Sequence, residues 1–443
     1  MKNIVIGAGP AGRLAGLELG RLGEEVLLIE KNKLGGTCLN EGCMVICALN
    51  DISRFLNNKK QYEKLDLISG DIDISYEEII NKINKTQEII HKISHEENTS
   101  VNNNIIYGEA EINEDEVSVG GESWDYENLL IATGGKPYIP NIPGKNYGKT
   151  HQDILKLKKV PEKLNVIGGG IIAAEISNIY SSFGSEVNII ARSHFLSELD
   201  PEIKDYIVKN LFKNVNIYEN TATEEIQKNK IIIENNGEMK ELEGTAFIAT
   251  GRSPNSQIAR NILSDDDFDR KKAIKVNNML ETSKSNVYAA GDVIGGMNLT
   301  PVARMEGILA ARNMAGYPNK IEYNTIPQSI ALDMDISFAK IIDTTNKNDI
   351  NNKNEKIFDV LSPGSAGPGG FWRVLTGDTG ITKTSFNSKT SLLEAITAVS
   401  PSSVSDVAYI SYLMRIGENI SNFDEFIEIH PSTDVFFQIM KYM

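Results

Sequence analysis

The feature that most restricts the fold of this chain is a motif written twice. Residues 3–30, NIVIGAGPAGRLAGLELGRLGEEVLLIE, read as a short apolar strand, then Gly7, Gly9 and Gly12, a helical pattern, and a second strand ending at Glu30. Each glycine has a task in such a unit: a tight turn, an approach of backbone to a pyrophosphate, and close packing of helix on strand. The helix N-terminus offers unpaired N–H groups to the phosphates, and Glu30 stands where a carboxylate binds a ribose 2′-hydroxyl. The second copy, LNVIGGGIIAAEISNIYSSFGSEVNIIARS, sets Gly168, Gly170 and Ala173 at the three positions. Here Ala191 replaces the acid, and Arg192 and Ser193 follow it, a cation and a hydroxyl able to bind a 2′-phosphate. The alternative for Arg192 is a solvated side chain at a strand end.

Composition removes several function classes. The 443 residues carry a formal charge of −15, so the field of the molecule repels a phosphate backbone and no nucleic-acid partner is expected. A chain of this length holds about two to four domains. Its apolar runs are too short for a bilayer span, and MKNIVIGAGP enters a strand pattern by residue 3 without a signal-peptide core. The expectation is a cytoplasmic protein with no membrane partner.

All three cysteines, Cys38, Cys43 and Cys47, lie in the stretch GGTCLNEGCMVICALND. An odd number argues against structural staples. Their spacing, with no histidine nearby, does not make a tetrahedral zinc set, so no metal site is expected. Redox chemistry remains, and a cytoplasmic disulfide is more often catalytic than structural. On a helix Cys43 and Cys47 are i and i+4 and share a face. Between Met44, Val45 and Ile46, Cys47 reads equally as a small buried hydrophobe. Further on, Ile79, Ile80, Ile83, Ile90 and Ile93 recur at helical spacing between Tyr76 and His95, which predicts a core face.

Three more strands run into glycine turns: LLIATGGKPYIP with Ala132, Thr133 and Gly134, AFIATGRSPN with Gly251 and Arg252, and SNVYAAGDVIG with Gly291 and Asp292. In this order around two dinucleotide units, the whole chain resembles the two-dinucleotide flavoproteins, the pyridine nucleotide–disulfide oxidoreductases. The resemblance implies an α/β fold with two Rossmann-like domains, the first for FAD and the second for NAD(P), and a C-terminal α+β dimerisation domain. Residues 1–148 and 271–320 would form the FAD domain, 149–270 the NAD(P) domain and 321–443 the interface domain. Asp292 would meet the flavin ribityl chain, and Gly36, Thr37, Ala132, Thr133, Gly134, Gly251, Arg252 and Gly291 would join the cofactor contacts.

GGTCLNEGC is similar to the family's redox-active CxxxxC. By that resemblance Cys38 exchanges with the substrate and Cys43 faces the flavin, at the start of a helix whose dipole favours a thiolate. His430, in IEIHPSTD, is similar to the family's C-terminal base, which reaches the partner subunit's thiols in a twofold homodimer. Asp434 lies beside Val435, where the family places a glutamate that orients the base. Cys47 replaces the lysine that usually follows the second cysteine, leaving Glu175, the match to that lysine's partner, without it. Ile171 replaces a tyrosine that often gates nicotinamide access. The implied activity is a dihydrolipoamide dehydrogenase-like transfer between NAD(P)H, FAD, the cysteine pair and a small dithiol or disulfide, with NADP(H) preferred over NAD(H). The alternatives are a mercuric reductase-like enzyme lacking its C-terminal cysteine pair and a flavoprotein redox sensor with altered turnover.

Overall fold

In the computed structural model, residues 2–342, 357–427, 429–431 and 439 are described. The first glycine unit opens a five-stranded sheet. Its order is Val287–Ala289, Asn128–Ile131, Asn3–Ile6, Val26–Glu30 and Asn104–Tyr107, and every neighbouring pair is parallel. Strands Asn3–Ile6 and Val26–Glu30 are buried at every position, as a parallel sheet covered on both faces requires. Helix α1 (Pro10–Arg21) begins with proline, whose fixed φ and missing N–H cost nothing in a first turn.

The cysteines occupy two helices rather than one. Cys38 lies within the short α2 (Gly36–Asn40), and Cys43 is the first residue of α3 (Cys43–Glu63), which also carries Cys47. Glu41 and Gly42 break the helical path between them. Helix α4 (Tyr76–Thr99), capped by Ser75, braces this turn: Gln87 Nε2 donates to Leu39 O at 2.8 Å, and His91 Nε2 meets Asn40 Oδ1 at 2.6 Å. That bracing sets the helix phase. The buried stripe is Tyr76, Ile80, Ile83, Gln87, Ser94 and Asn98, so Ile93, expected in the core, is 48% exposed and Ile79 and Ile90 are half-buried.

The second glycine unit repeats the plan. Strands Val215–Tyr218, Glu186–Ile190, Lys163–Ile167 and Thr245–Ile248 form a parallel sheet, with α5 (Ile171–Ser182) and α6 (Pro201–Asn210) among its connections. Each unit inserts a three-stranded antiparallel meander before its next parallel strand, spanning 110–125 in the first and 222–243 in the second. The duplication visible in about thirty residues of sequence therefore extends through both units.

The chain then returns to the first sheet. Val287–Ala289 pairs with Asn128–Ile131, and α7 (Thr300–Met314) lies against α1. A Cβ on Gly307 would sit 2.1 Å from Ala11 O, so only glycine permits that approach. The last described unit is an antiparallel sheet ordered Gln328–Ile330, Asp335–Lys340, Leu393–Ser400, Ile381–Asn387 and Ile357–Pro363. Helix α8 (Ser403–Ile416) buries Val407, Ile410, Leu413 and Met414 on it. Buried Lys383 ties this sheet to α6 through Asp200 and Glu202, each at 2.8 Å. No described helix is long and apolar enough to cross a membrane.

Candidate active site

The two glycine cradles are built alike. Gly7, with φ of +97°, presses against the 132–134 turn, since a Cβ there would lie 2.4 Å from Ala132 O; Gly168 stands likewise 2.2 Å from Ala249 O. A Cβ on Gly12 would meet Gly7 O at 1.8 Å, and Ala173 fills the corresponding position fully buried. Gly9 and Gly170 cap α1 and α5 and face open space: the Cβ of Gly9 would find only Gly36 Cα, at 3.8 Å, and that of Gly170 nothing within 4 Å. Gly36, beside Thr37, faces Gly9 without a side chain between them, its own Cβ position lying 2.8 Å from Gly9 Cα. Glu30 is buried, with one oxygen accepting from Ala8 N and the other from Asn32 N, both at 2.8 Å. A side-chain-free approach to a helix N-terminus, with a buried carboxylate at the next strand end, fits a dinucleotide's phosphates and ribose.

The second unit differs at its strand end. Ala191 is buried, while Arg192 and Ser193 are exposed. The acid beside them, Glu219, is engaged by Lys204 Nζ at 2.7 Å, His194 Nδ1 at 3.1 Å and Phe195 N at 2.8 Å. Burial opposes its ionisation, but these donors outweigh it and hold the carboxyl at about 2. No hydrogen bond or ion pair to the Arg192 side chain occurs among the described residues.

Between the units, Asp292 and Arg252 form one cluster. Arg252 Nε donates to Asp292 Oδ2 at 2.8 Å and its Nη2 to Gly135 O at 2.8 Å, while Nη1 approaches His151 Nε2 at 3.5 Å. Burial, reinforced by Arg252, pushes His151 down to about 4, so the ring is neutral at pH 7. Asn255 adds a second link, donating from its backbone to Gly134 O at 2.9 Å and accepting from Thr133 Oγ1 at 2.7 Å. The Gly251 backbone has φ of +111°, in the region glycine favours. Gly291 N donates to the buried Glu306 at 2.7 Å, which fixes the turn that presents Asp292.

At the thiols, all three cysteines are free, and Cys43 Sγ lies 3.6 Å from Thr300 Oγ1 at the start of α7. The Cys38 thiol is pulled down to about 6, first by the hydrogen bond from Cys43 and then, against its burial, by Thr300 and the charge of Arg304. The same contact drives Cys43 far upward. Cys47 is exposed rather than packed in a core, but protein crowds one side of it, and burial followed by the Cys43 and Glu175 charges raises its thiol. Glu175, reaching in from α5, is pushed up to about 7 chiefly by burial; Ala331 N donates to it at 3.0 Å.

The structure thus brings together Gly7 with Ala132, Gly9 with Gly36, Cys38 with Cys43, Cys47 with Glu175, and Arg252 with Asp292. His430 is exposed and is not among the groups acting on the Cys38 thiol of its own chain. Asp434 and Val435 lie outside the described residues. Sequence reasoning missed Thr300, Arg304, Glu306 and His151. Only the proline after Thr300, a helix-start signal, marks the first turn of α7.

Two dinucleotide cradles and a thiol pair in one chain define a nucleotide-linked oxidoreductase. The profile of the family described as pyridine nucleotide-disulphide oxidoreductase matches residues 1–307, and the chain belongs to that family, whose members are FAD-dependent enzymes that move electrons between NAD(P)H and disulfides. The chain is 32% identical to an uncharacterized protein of Methanocaldococcus jannaschii over 99% of this chain and 97% of that one. It is 30% identical to a dihydrolipoyl dehydrogenase of Buchnera aphidicola over 88% of this chain and 84% of the relative. A mercuric reductase of Bacillus cereus is 31% identical over 73% of this chain, which spans 53% of that longer relative. The solved structure of RclA, an HOCl-induced flavoprotein disulfide reductase from Escherichia coli, shares the fold with a TM-score of 0.85 at 24% identity, covering 100% of this chain and 99% of that one.

Proposed function

We propose that the chain is a dihydrolipoamide dehydrogenase-like reductase of small disulfides in which Cys38 meets the substrate and Cys43 resolves it. The observation that carries this reading is the placement of the two thiols, Cys38 within the short α2 and Cys43 as the first residue of α3 with its Sγ 3.6 Å from Thr300 Oγ1; the downward pull of Cys43 on the Cys38 thiol agrees with it. Gly7, Gly9, Gly12, Glu30, Gly36, Thr37, Ala132, Thr133, Gly134, Gly291 and Asp292 would hold FAD. Gly168, Gly170, Ala173, Arg192, Ser193, Gly251 and Arg252 would hold the nicotinamide cofactor or position its domain. FAD, when bound, supplies the path by which an electron pair from nicotinamide reaches the thiol pair.

The protein's own steps follow from the thiols. Cys38 thiolate attacks one sulfur of the substrate, a Cys38 mixed disulfide forms, and the displaced thiolate takes a proton from the partner subunit's His430. Cys43 then gives its proton to the partner subunit's His430, neutral after the first step, and attacks the Cys38 sulfur; the second substrate thiolate leaves and takes that proton, and the Cys38–Cys43 disulfide remains to be reduced by two electrons. Run backwards, the same steps oxidise a dithiol. A thiol pair that must cycle suits the cytoplasm.

A twofold homodimer is supported by exposed apolar surface on the C-terminal unit. Tyr409, Tyr412 and Ile416 line the outer face of α8, and Ile357, Phe358 and Leu361 lie on the edge strand. This supports residues 321–443 as the interface domain. The return of Val287–Ala289 to the first sheet supports a divided FAD domain of 1–148 and 271–320 around an NAD(P) domain of 149–270.

NADPH is the expected donor, because Ala191 offers no carboxylate and the nearby Glu219 is already engaged, leaving Arg192 to meet a 2′-phosphate. Such a contact contributes roughly 1.5–3 kcal/mol, at least about tenfold in affinity. Steady-state reduction of lipoamide, glutathione disulfide and coenzyme A disulfide by NADPH and by NADH tests both claims, with Arg192→Glu expected to reverse the cofactor preference. Equal use of both cofactors overturns the preference. No turnover with any disulfide favours the redox sensor, a reading that rests on Glu175, raised to about 7 beside Cys47 where a lysine would have paired with it.

A further inference from the structure

The first turn of α7 lies beside the thiols at which a disulfide would exchange. Thr300 Oγ1 is 3.6 Å from Cys43 Sγ, and Arg304 lies four residues on, so the two share a helix face about one turn apart. Arg304 is exposed, and no described residue hydrogen-bonds or ion-pairs with it. By contrast, Arg312 on the same helix is held by Glu18 at 2.7 Å. The net charge of −15 repels anions from the molecule as a whole, so an uncommitted guanidinium beside the thiols is a local exception to that field. Guanidinium groups bind planar or tetrahedral oxyanions with paired N–H donors.

We propose that Arg304 is a specificity residue that recognises an acid group, carboxylate, phosphate or sulfonate, on the disulfide exchanging with Cys38. This rests on Cys38 being the thiol that meets the substrate. The positive charge that Cys38 feels from Arg304 agrees with the placement. The arrangement favours acidic disulfides over neutral or cationic ones of the same size. It acts on binding, so it lowers KM more than it raises kcat.

Two measurements on the FAD-loaded enzyme separate this inference from the reading beneath it. In the first, the reduced protein is alkylated with iodoacetate and with iodoacetamide, and modification of Cys38 is followed by peptide mass spectrometry. Taking the ratio of the two rates cancels any change in thiolate population. Arg304→Gln should lower the iodoacetate-to-iodoacetamide ratio by about fivefold, Arg304→Glu should lower it further, and Arg304→Lys should restore part of it. An unchanged ratio in Arg304→Gln overturns the inference. In the second, NADPH-driven reduction of 5,5′-dithiobis(2-nitrobenzoate) is compared with that of the neutral 4,4′-dithiodipyridine. Arg304→Gln should raise KM for the acidic compound alone; an equal effect on both, or none, overturns the inference. Failure of the wild-type enzyme to reduce either compound, with the alkylation ratio still dependent on Arg304, overturns the disulfide-reductase reading and leaves an anion-selective thiol.

Discussion

At the scale of single residues, the Cys38–Cys43 contact has a measurable titration. Because Cys38 is lowered to about 6, its alkylation rate should be half-maximal near that pH, with the thiolate lost below it. Replacing Cys43 by alanine removes the first of the causes, so the midpoint should climb toward the usual thiol value near 9. Thr300→Val should produce a smaller rise. A midpoint unmoved by Cys43→Ala would show that the thiol contact does not set the charge. Glu175 shifts the other way. The native chain holds its proton up to about 7, whereas an unfolded carboxyl releases it near 4.5. The contribution to stability is therefore full below the unfolded value and is lost as pH rises through 7. Denaturant titrations should show stability falling from pH 4.5 to 7.5, and Glu175→Gln should flatten that fall.

Among elements, the closeness of α1 and α7 is the feature most open to test. A methyl on Gly307 would drive into Ala11 O, so Gly307→Ala must push the helices apart at a cost of roughly 1–3 kcal/mol. Because α1 presents Gly9 and α7 presents Thr300, the variant should also release flavin more readily, measured by fluorescence on dilution. Unchanged unfolding and flavin retention would mean that the helices have slack. Much of this level was legible in the sequence: the glycine spacing located both cradles, and the three strand-to-glycine turns located the contacts of Ala132, Ala249 and Asp292. What escaped depends on which elements meet. Five isoleucines suggested one phase for α4, but Gln87 and His91 hold the backbone and side chain of α2, and that contact turns Ile93 outward. Thr300 and Arg304 carry no motif, because their relation to the cysteines exists only once α7 has returned to the first unit. The break between α2 and α3 was hidden because the cysteine pattern records spacing and not helix direction.

For the whole molecule, the proposed homodimer would make each active site a joint product of two chains. Mixing His430→Ala chains with Cys38→Ser chains should recover about a quarter of wild-type activity, since about half the dimers are mixed and each mixed dimer holds one intact site. Absence of recovery after proven subunit exchange would contradict the shared site. The route of the chain through the first sheet also dictates an order of assembly during synthesis. The strands of the middle unit, 163–248, leave the ribosome before Val287–Ala289, so the second unit can complete its sheet while the first still lacks a strand. Until that strand arrives, Asn128–Ile131 offers Leu129, Leu130 and Ile131 along an unpaired edge, the kind of surface on which nascent chains associate wrongly. A pause in translation ahead of residue 287 therefore leaves the oldest part of the chain exposed for longest.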